Sequence, residues 1–219
     1  MEGKGDFQLL ATLLEWAGRS PLDSQELSRT LLNELGNLPS VFIDAPLLPD
    51  RFPQLGLDDR VLFRLYLDLM GRYLHTAADG IRRPHCLSQF YLLLLPHFYR
   101  QRQELVYVLF LDRDGLLLGG EAAAQGEGDT VLLPNQRLAD QAVHRGAGSI
   151  VIAHNHPDGT QVFSHADLMS TLALVRQLAS VGVRLIDHYL LADLQIFSLR
   201  RQLRLEDGDP WPEHGHRLR

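Results

Sequence analysis

Leucine residues recur at helical spacing through the first third of the chain. Apolar faces within 9–14 and 27–35, each followed within a few residues by a glycine, predict two helices. The stretch 39–53 contains four prolines and is predicted to be mostly loop, and a third helix is predicted over about 60–73. Residues 1–76 are therefore predicted to form a small all-helical domain.

The rest of the chain alternates between short apolar runs typical of strands and amphipathic runs typical of helices. Turn-forming residues predict a linker over 77–87, and a glycine pair at 119–120 predicts an irregular edge after the second strand. The predicted helices are 88–99, 135–144 and 164–179, and the predicted strands are 105–111, 116–118, 149–153, 184–191 and 195–199.

Composition narrows the class of protein. The 219 residues are 45% hydrophobic and 22% charged, which is ordinary for a globular protein of one or two domains. No apolar run approaches the roughly 18 residues of a membrane span, and the first residues lack the pattern of a signal peptide. The single cysteine, Cys86, excludes an internal disulfide and a thiolate metal cluster. We therefore expect a cytoplasmic protein without membrane association.

The distribution of charge argues against strong DNA binding. The formal net charge is −6, and residues 1–75 carry seven Lys and Arg against eleven Asp and Glu, a net of −4. A surface that neutralises phosphates needs the opposite balance. DNA is therefore expected to be an unlikely partner, and the sequence leaves the oligomeric state open.

Two histidines and an aspartate form the leading candidate site. His154 and His156 end the apolar run 149–153, and Asp167 follows after ten further residues. Residues i and i+2 of a strand point to the same face, so the two imidazoles are expected to project together. Asp167 falls in the first turn of the next predicted helix and could face back toward them. Two imidazoles, one carboxylate and room for a water match a catalytic zinc site.

A second interpretation of the aspartate is purely structural. Ser164 precedes Asp167 by three residues, which fits a helix capping box with Asp in place of the usual Glu or Gln. Capping alone would account for both residues. Spacing by itself leaves metal binding and capping open.

The same stretch resembles a known family. The segment His154-Asn155-His156-Pro157-Asp158-Gly159, followed by Ser164 and Asp167, is similar to the JAMM signature of JAB/MPN metallopeptidase-like domains. With Asp187-His188 downstream, it resembles the RadC branch of these domains over about residues 103–199.

This sequence departs from the family pattern in one loop. Asp158 stands where the RadC family usually has serine, and residues 160–163 lack the proline that usually precedes Ser164. Both changes lie between the candidate ligands. They affect the surface that would face a substrate more than the metal site.

The resemblance implies a fold and an activity. The fold class is α/β (mixed α+β), with a JAB/MPN-type sheet flanked by helices over 88–205 and a polar tail at 206–219. The implied activity is zinc-dependent hydrolysis of a peptide or isopeptide bond in a peptide or protein substrate. The implied ligands of Zn²⁺ are His154, His156 and Asp167.

The resemblance also implies roles for residues around the metal. In the family, a glutamate at the start of an early strand acts as general base without binding the metal. Glu104, directly before the first strand, matches this pattern and is the first choice, and Glu121, after the glycine pair, is the second. The predicted hairpin places both at the same end, so topology does not separate them. Ser164 is implied to donate to the developing oxyanion. Asp187 and His188 are expected to be structural rather than to support the ligands.

The helical domain resembles the N-terminal domain of RadC proteins, which carries a helix-hairpin-helix-like element. Leu55-Gly56-Leu57 has one glycine where such a hairpin has two, and Asp58 and Asp59 place negative charge where a phosphate would bind. We interpret this domain as a degenerate hairpin used for packing or docking. A non-catalytic RadC-like interaction module, with or without a DNA-associated role, is the alternative function.

Overall fold

The computed structural model describes residues 5–99, 101–126, 133–192, 195–206 and 208–212. The chain divides into two compact units, Met1–Tyr73 and Leu74–Arg219. Most of the predicted tail at 206–219 lies outside the described residues. Among the helices in the described ranges, none combines the length and apolar character needed to cross a membrane.

The first unit is helical. Its elements are α1 (Asp6–Trp16), α2 (Pro21–Leu35), α3 (Leu38–Asp44), a 3-10 turn (Ala45–Leu47) and α4 (Leu57–Ala78), which continues past the boundary between the units.

The prediction of a loop over 39–53 is wrong for the first part of that stretch. Pro39 lies in the first turn of α3, where its missing N–H costs no helical hydrogen bond. Asn37 caps the helix, since its Oδ1 accepts the Ser40 N–H at 2.9 Å. The proline that suggested a loop therefore helps to start a helix.

A buried charge pair fixes the start of α4. Asp59 is 3% exposed and accepts the Arg19 guanidinium at 2.9 Å through Nε and 2.5 Å through Nη2. The hydrogen bond with Asp59 raises the pKa of Arg19. Asp59 Oδ2 also accepts the Gly56 N–H at 2.8 Å. The amide that a phosphate-binding hairpin would offer to DNA is therefore engaged by a carboxylate of the same unit.

The second unit is a mixed sheet packed between helices. Its elements are α5 (Leu87–Phe98), β1 (Glu104–Leu111), β2 (Leu117–Gly126), α6 (Asn135–His144), β3 (Ser149–Asn155), α7 (His165–Ser180), β4 (Arg184–Ala192), β5 (Gln195–Ser198) and α8 (Leu199–Gln202). The strands lie in the order β2-β1-β3-β4-β5, with β3 and β4 parallel and the other neighbours antiparallel. The expected α/β (mixed α+β) class is confirmed.

Helices cover both faces of this sheet. On one face, α6 and α7 pack over a set that includes Val108 and Ile152. On the other face, α5 packs over a set that includes Leu109 and Val151. Strands β1 and β3 are therefore apolar on both sides, which explains the uninterrupted apolar run at 149–153.

Strand β2 continues through the glycine pair at the edge of the sheet, and its register with β1 shifts on both sides of the pair, so the predicted irregular edge is confirmed but falls within the strand. Gly120 pairs with Leu109, and a Cβ at Gly120 would lie 2.6 Å from Tyr107 Cε1 and 2.8 Å from the Val108 carbonyl oxygen. The glycine is needed for the close approach of two strands rather than for a loop.

Candidate metal centre

The two histidines of the H-x-H motif stand at the end of β3. His154 is 1% exposed and pairs with Val106 of the neighbouring strand β1. His156 follows the last residue of β3. The two Nε2 atoms lie 3.1 Å apart, so the imidazoles project together as the strand spacing predicts.

Asn155, between the two histidines, fastens the start of β1 to the end of β3. Its Oδ1 accepts the Leu105 N–H at 2.9 Å, and its Nδ2 donates to the Gln103 carbonyl at 3.2 Å. These bonds lie on both sides of Glu104, whose side chain they hold beside the histidines. Sequence reasoning missed this role. The available signal was an amide side chain at the end of a fully buried strand.

Asp167 approaches the histidines from the first turn of α7. Its Oδ2 accepts the Ser164 N–H at 2.7 Å, and Ser164 Oγ accepts the Asp167 N–H at 3.1 Å. This is the capping box that the sequence predicts. The same carboxylate places Oδ1 3.5 Å from His154 Nε2 and Oδ2 3.8 Å from His156 Nε2. Capping and metal binding are therefore compatible, because the cap aims the carboxylate at the imidazoles.

Glu104 completes a group of four potential ligands. Glu104, His154, His156 and Asp167 each offer one ligand atom, and these atoms lie within 4.8 Å of one another. Glu104 is 8% exposed, so its carboxylate is withdrawn from bulk water. The structure thus brings together the three predicted ligands and the first-choice base.

Glu121 lies elsewhere on the sheet. It pairs with Val108 in the middle of the β1–β2 ladder, whereas Glu104 pairs with Gly126 at its far end. The expectation that both glutamates share one end of the hairpin is therefore wrong. The Glu121 carboxylate accepts hydrogen bonds from Gln141 and Arg145 of the α6 region. Its contacts are those of a structural ion pair.

Hydrogen bonds to carbonyl groups define which ring nitrogens carry protons. His156 Nδ1 lies 2.9 Å from the Thr160 carbonyl oxygen, which can only accept. Nδ1 therefore carries the proton, and in a neutral ring Nε2 keeps its lone pair. That lone pair lies in the group with Glu104 and Asp167.

The same argument extends through two buried side chains, Thr171 and His188, to His154. Thr171 Oγ1 lies 2.5 Å from the Asp167 backbone carbonyl, which takes its single hydroxyl proton. The hydroxyl must then accept from His188 Nδ1, 2.6 Å away. His188 Nε2 is left to accept from His154 Nδ1 at 2.7 Å, so the lone pair of His154 Nε2 also points into the group.

Burial and hydrogen bonding keep His188 neutral and Asp167 ionised, as this chain of hydrogen bonds requires. Burial lowers the pKa of His188 well below its usual value, so His188 is neutral. Burial would raise the pKa of the Asp167 carboxyl. Hydrogen bonds from the Ser164 hydroxyl and backbone N–H act in the opposite direction, and that pKa lies well below its usual value.

Asp187 and His188 differ in role despite being neighbours. Asp187 Oδ1 accepts the backbone N–H groups of His188 and Arg200 at 2.8 and 3.1 Å, and Oδ2 accepts the Ser198 hydroxyl at 2.5 Å. Burial raises the pKa of Asp187 against the effect of these bonds. Asp187 thus joins β4 to the start of α8, as its expected structural role requires. His188 instead supports a candidate ligand, contrary to the expectation. Thr171, four residues after Asp167, holds His188 in place, a role that sequence reasoning did not predict.

The donor set fits a zinc ion. Two imidazole lone pairs and two carboxylates converge without a proton donor among them, an arrangement that a cation would satisfy. Ligand atoms 2.0–2.2 Å from a tetrahedral ion lie roughly 3.3–3.6 Å apart. The two Nε2 atoms lie 3.1 Å apart, Asp167 Oδ1 lies 3.5 Å from His154 Nε2, and Asp167 Oδ2 lies 3.8 Å from His156 Nε2. These separations are close to the spacing around a tetrahedral ion.

A mixed sheet with this group at one strand end is the arrangement of a JAB-type domain. The family model described as "RadC-like JAB domain" matches residues 84–205. That range contains all four members of the group. The chain belongs to the RadC family of JAB domain proteins.

Relatives of similar length support the assignment. The chain is 30% identical over 197 residues to the UPF0758 protein of Vibrio atlanticus strain LGP32, covering 88% of this chain and 86% of the relative. It is 31% identical over 196 residues to a UPF0758 protein of Vibrio vulnificus strain YJ016, with coverage of 88% and 86%. A UPF0758 protein of Cellvibrio japonicus strain Ueda107 is 30% identical over 199 residues, with coverage of 89% and 86%. Alignments of this length include much of the helical unit as well.

Proposed function

We propose that this protein is a zinc-dependent hydrolase that cleaves a peptide or isopeptide bond in a peptide or protein substrate. The observation that carries the proposal is the buried Glu104 carboxylate beside His154, His156 and Asp167. A metal site alone would suit a structural role. A further carboxylate next to it supplies the proton carrier that hydrolysis of an amide needs.

The residues divide into ligands and a base. His154 Nε2, His156 Nε2 and an Asp167 oxygen would hold the ion, which leaves a fourth position open. A zinc ion held by these residues would supply a water whose pKa is lowered to about 7 and a Lewis acid for the carbonyl of the scissile bond. Glu104 accepts a proton from the attacking water as the new C–O bond forms. It returns that proton to the nitrogen as the C–N bond breaks, so the amine leaves neutral.

Ser164 is proposed to donate to the oxyanion, as its family counterpart does. Its hydroxyl donates to Asp167 Oδ2 at 2.8 Å in the structure. Donation to a substrate therefore requires the hydroxyl to rotate away from Asp167 while its oxygen keeps the helix cap. The short distance between the Ser164 hydroxyl and the candidate ligand Asp167 supports this proposed role.

The second candidate is a non-catalytic interaction module that keeps the metal for stability. One observation favours it: all four group members could bind the ion together, giving a closed site without a position for water. The two functions differ in the role of Glu104, which is a base in one and a fourth ligand in the other.

One experiment separates these functions. The full chain, purified without a tag, would be assayed on a mixture of internally quenched peptides and on a peptide joined through a lysine side-chain amide. Cleavage that is abolished by a zinc chelator and restored by zinc supports the proposal. If zinc-loaded wild type cleaves none of these peptides and Glu104→Gln loses zinc, Glu104 is a ligand and the structural function is supported.

A further inference from the structure

Helix α4 carries a row of large apolar side chains that face solvent. The members recur every four residues within the helical unit, and each is between 52% and 76% exposed. We call this set the exposed row, and it consists of Leu57, Val61, Leu65, Leu69 and Tyr73.

The opposite side of α4 is already committed to the core of the unit. Phe63 and Leu67 are 0% and 4% exposed, and each lies two residues from a member of the exposed row. Two residues correspond to about 200° around a helix. The helix is therefore apolar on two opposite sides, and the side that carries Phe63 and Leu67 is the one buried in the core of the unit. Helices with this pattern are normally buried on both sides, and contiguous exposed apolar surfaces of this kind mark interaction sites.

Charges on the same face are arranged symmetrically about Leu65. Asp58 precedes Leu65 by seven residues, and Arg72 follows it by seven. Val61 and Leu69 lie four residues before and after it. In an antiparallel pair of α4 helices centred on Leu65, each Asp58 faces Arg72 of the other chain, and each Val61 faces Leu69. The face is thus complementary to itself in both apolar and charged positions.

We propose that the exposed row binds a second copy of this chain, forming a two-fold symmetric dimer through antiparallel α4 helices. Residues seven positions before and after Leu65 stay opposite their partners when the two axes are nearly antiparallel and cross at about 20°, as in helix bundles. The central contact then consists of Val61, Leu65 and Leu69 from each copy. Leu57 and Tyr73, about 24 Å apart along the axis, lie about 80° to either side of Leu65 around the helix and flank the two ends of the contact.

The charges on this face favour a protein partner over a lipid surface. Helices that lie on membranes carry Lys and Arg beside the apolar stripe. Here Asp58 and Asp68 flank the exposed row together with Arg64 and Arg72, and Arg64 lies 3.6 Å from Asp68. Mixed charges would gain little from an anionic bilayer, whereas Asp58 and Arg72 match each other across a second copy of the chain.

The oligomeric state of the full chain tests this proposal directly. Sedimentation equilibrium from about 1 to 100 μM should show a reversible dimer. Leu65→Glu places two carboxylates at the two-fold axis, so the dissociation constant should rise by at least about 100-fold. Leu22→Glu is the matched control, because Leu22 is 74% exposed on α2 outside the row and should leave the dimer unchanged.

Charge-reversal variants and a cysteine variant define the orientation of the helices. Asp58→Arg and Arg72→Asp should each weaken the dimer by about tenfold, and the double variant should recover most of that loss. In a Cys86→Ala background, Leu65→Cys should form an intermolecular disulfide under mild oxidation, because Leu65 meets its own copy at the axis. A monomer at 100 μM, or a dimer that Leu65→Glu leaves intact, would overturn the proposal. Failure of Leu65→Cys to cross-link would overturn the antiparallel pairing.

Discussion

His154 Nδ1 lies 2.7 Å from His188 Nε2, and this hydrogen bond links the end of β3 to the neighbouring strand β4. His188 is in turn held by Thr171 of α7, whose hydroxyl donates to the Asp167 carbonyl. The helix that supplies one candidate ligand therefore also orients the ring of another. A second residue that fixes the proton of a histidine ligand raises its affinity for metal.

Replacing His188 should weaken zinc binding according to whether an acceptor remains. His188→Leu removes the acceptor for His154 Nδ1, and the zinc dissociation constant should rise about 10–100-fold. His188→Gln has a similar volume and keeps an acceptor, so it should retain most of the affinity. Competition with a chromophoric chelator measures both variants without any substrate. Equal zinc affinities for the two variants would show that His188 only fills space.

Zinc content tests the ligands themselves. Protein purified without a tag should contain close to one zinc per chain by elemental analysis. His156→Ala should lose most of it, because one of three proposed ligands is missing. His165→Ala is the control, since His165 is exposed at the start of α7 and lies outside the group. Wild-type protein that stays metal-free after reconstitution would remove the enzymatic proposal.

The general base should be separable from the ligands by one pair of variants. Glu104→Gln should retain zinc and lose turnover by about 10²–10⁴-fold, because the amide cannot carry the proton. Glu121→Gln should keep near-normal turnover, since its contacts with Gln141 and Arg145 lie outside the site. Retained turnover in Glu104→Gln, or a comparable loss in Glu121→Gln, would contradict the assignment.

Ser164 should show two separable effects. Ser164→Ala removes the N-cap of α7, and the free energy of unfolding should fall by about 1 kcal/mol in urea titrations. If the hydroxyl also donates to the oxyanion, turnover should fall by about 10²–10³-fold under conditions where the variant remains folded. A stability loss with less than about tenfold loss of turnover would restrict Ser164 to capping.

The full chain should bind duplex DNA weakly. The net charge of −4 over residues 1–75 and the engagement of the Gly56 amide by Asp59 leave little to contact phosphates. Fluorescence anisotropy at about physiological salt should give dissociation constants no tighter than roughly 10⁻⁴–10⁻⁶ M. Submicromolar binding that weakens steeply with salt would instead support the DNA-associated function.

Interactions between residues close in sequence were predictable. The spacing of His154 and His156 on a strand and the position of Asp167 in the next helical turn follow from local backbone geometry. The capping box at Ser164 is equally local. Leucine periodicity likewise predicted the helices of the first unit, although Pro39 misled the prediction because a proline is compatible with the first turn of a helix.

Tertiary structure alone decided which distant residues join the group. The sequence left both Glu104 and Glu121 as candidates for the general base. Only the pairing of β1 with β3, fixed in part by Asn155, brings Glu104 to the histidines. His188 reaches His154 because β4 lies parallel to β3. Strand register depends on packing against helices on both faces of the sheet, which is a property of many non-local contacts at once. The sequence by itself therefore determined the local ligand motif, and the sheet determined its base and its support.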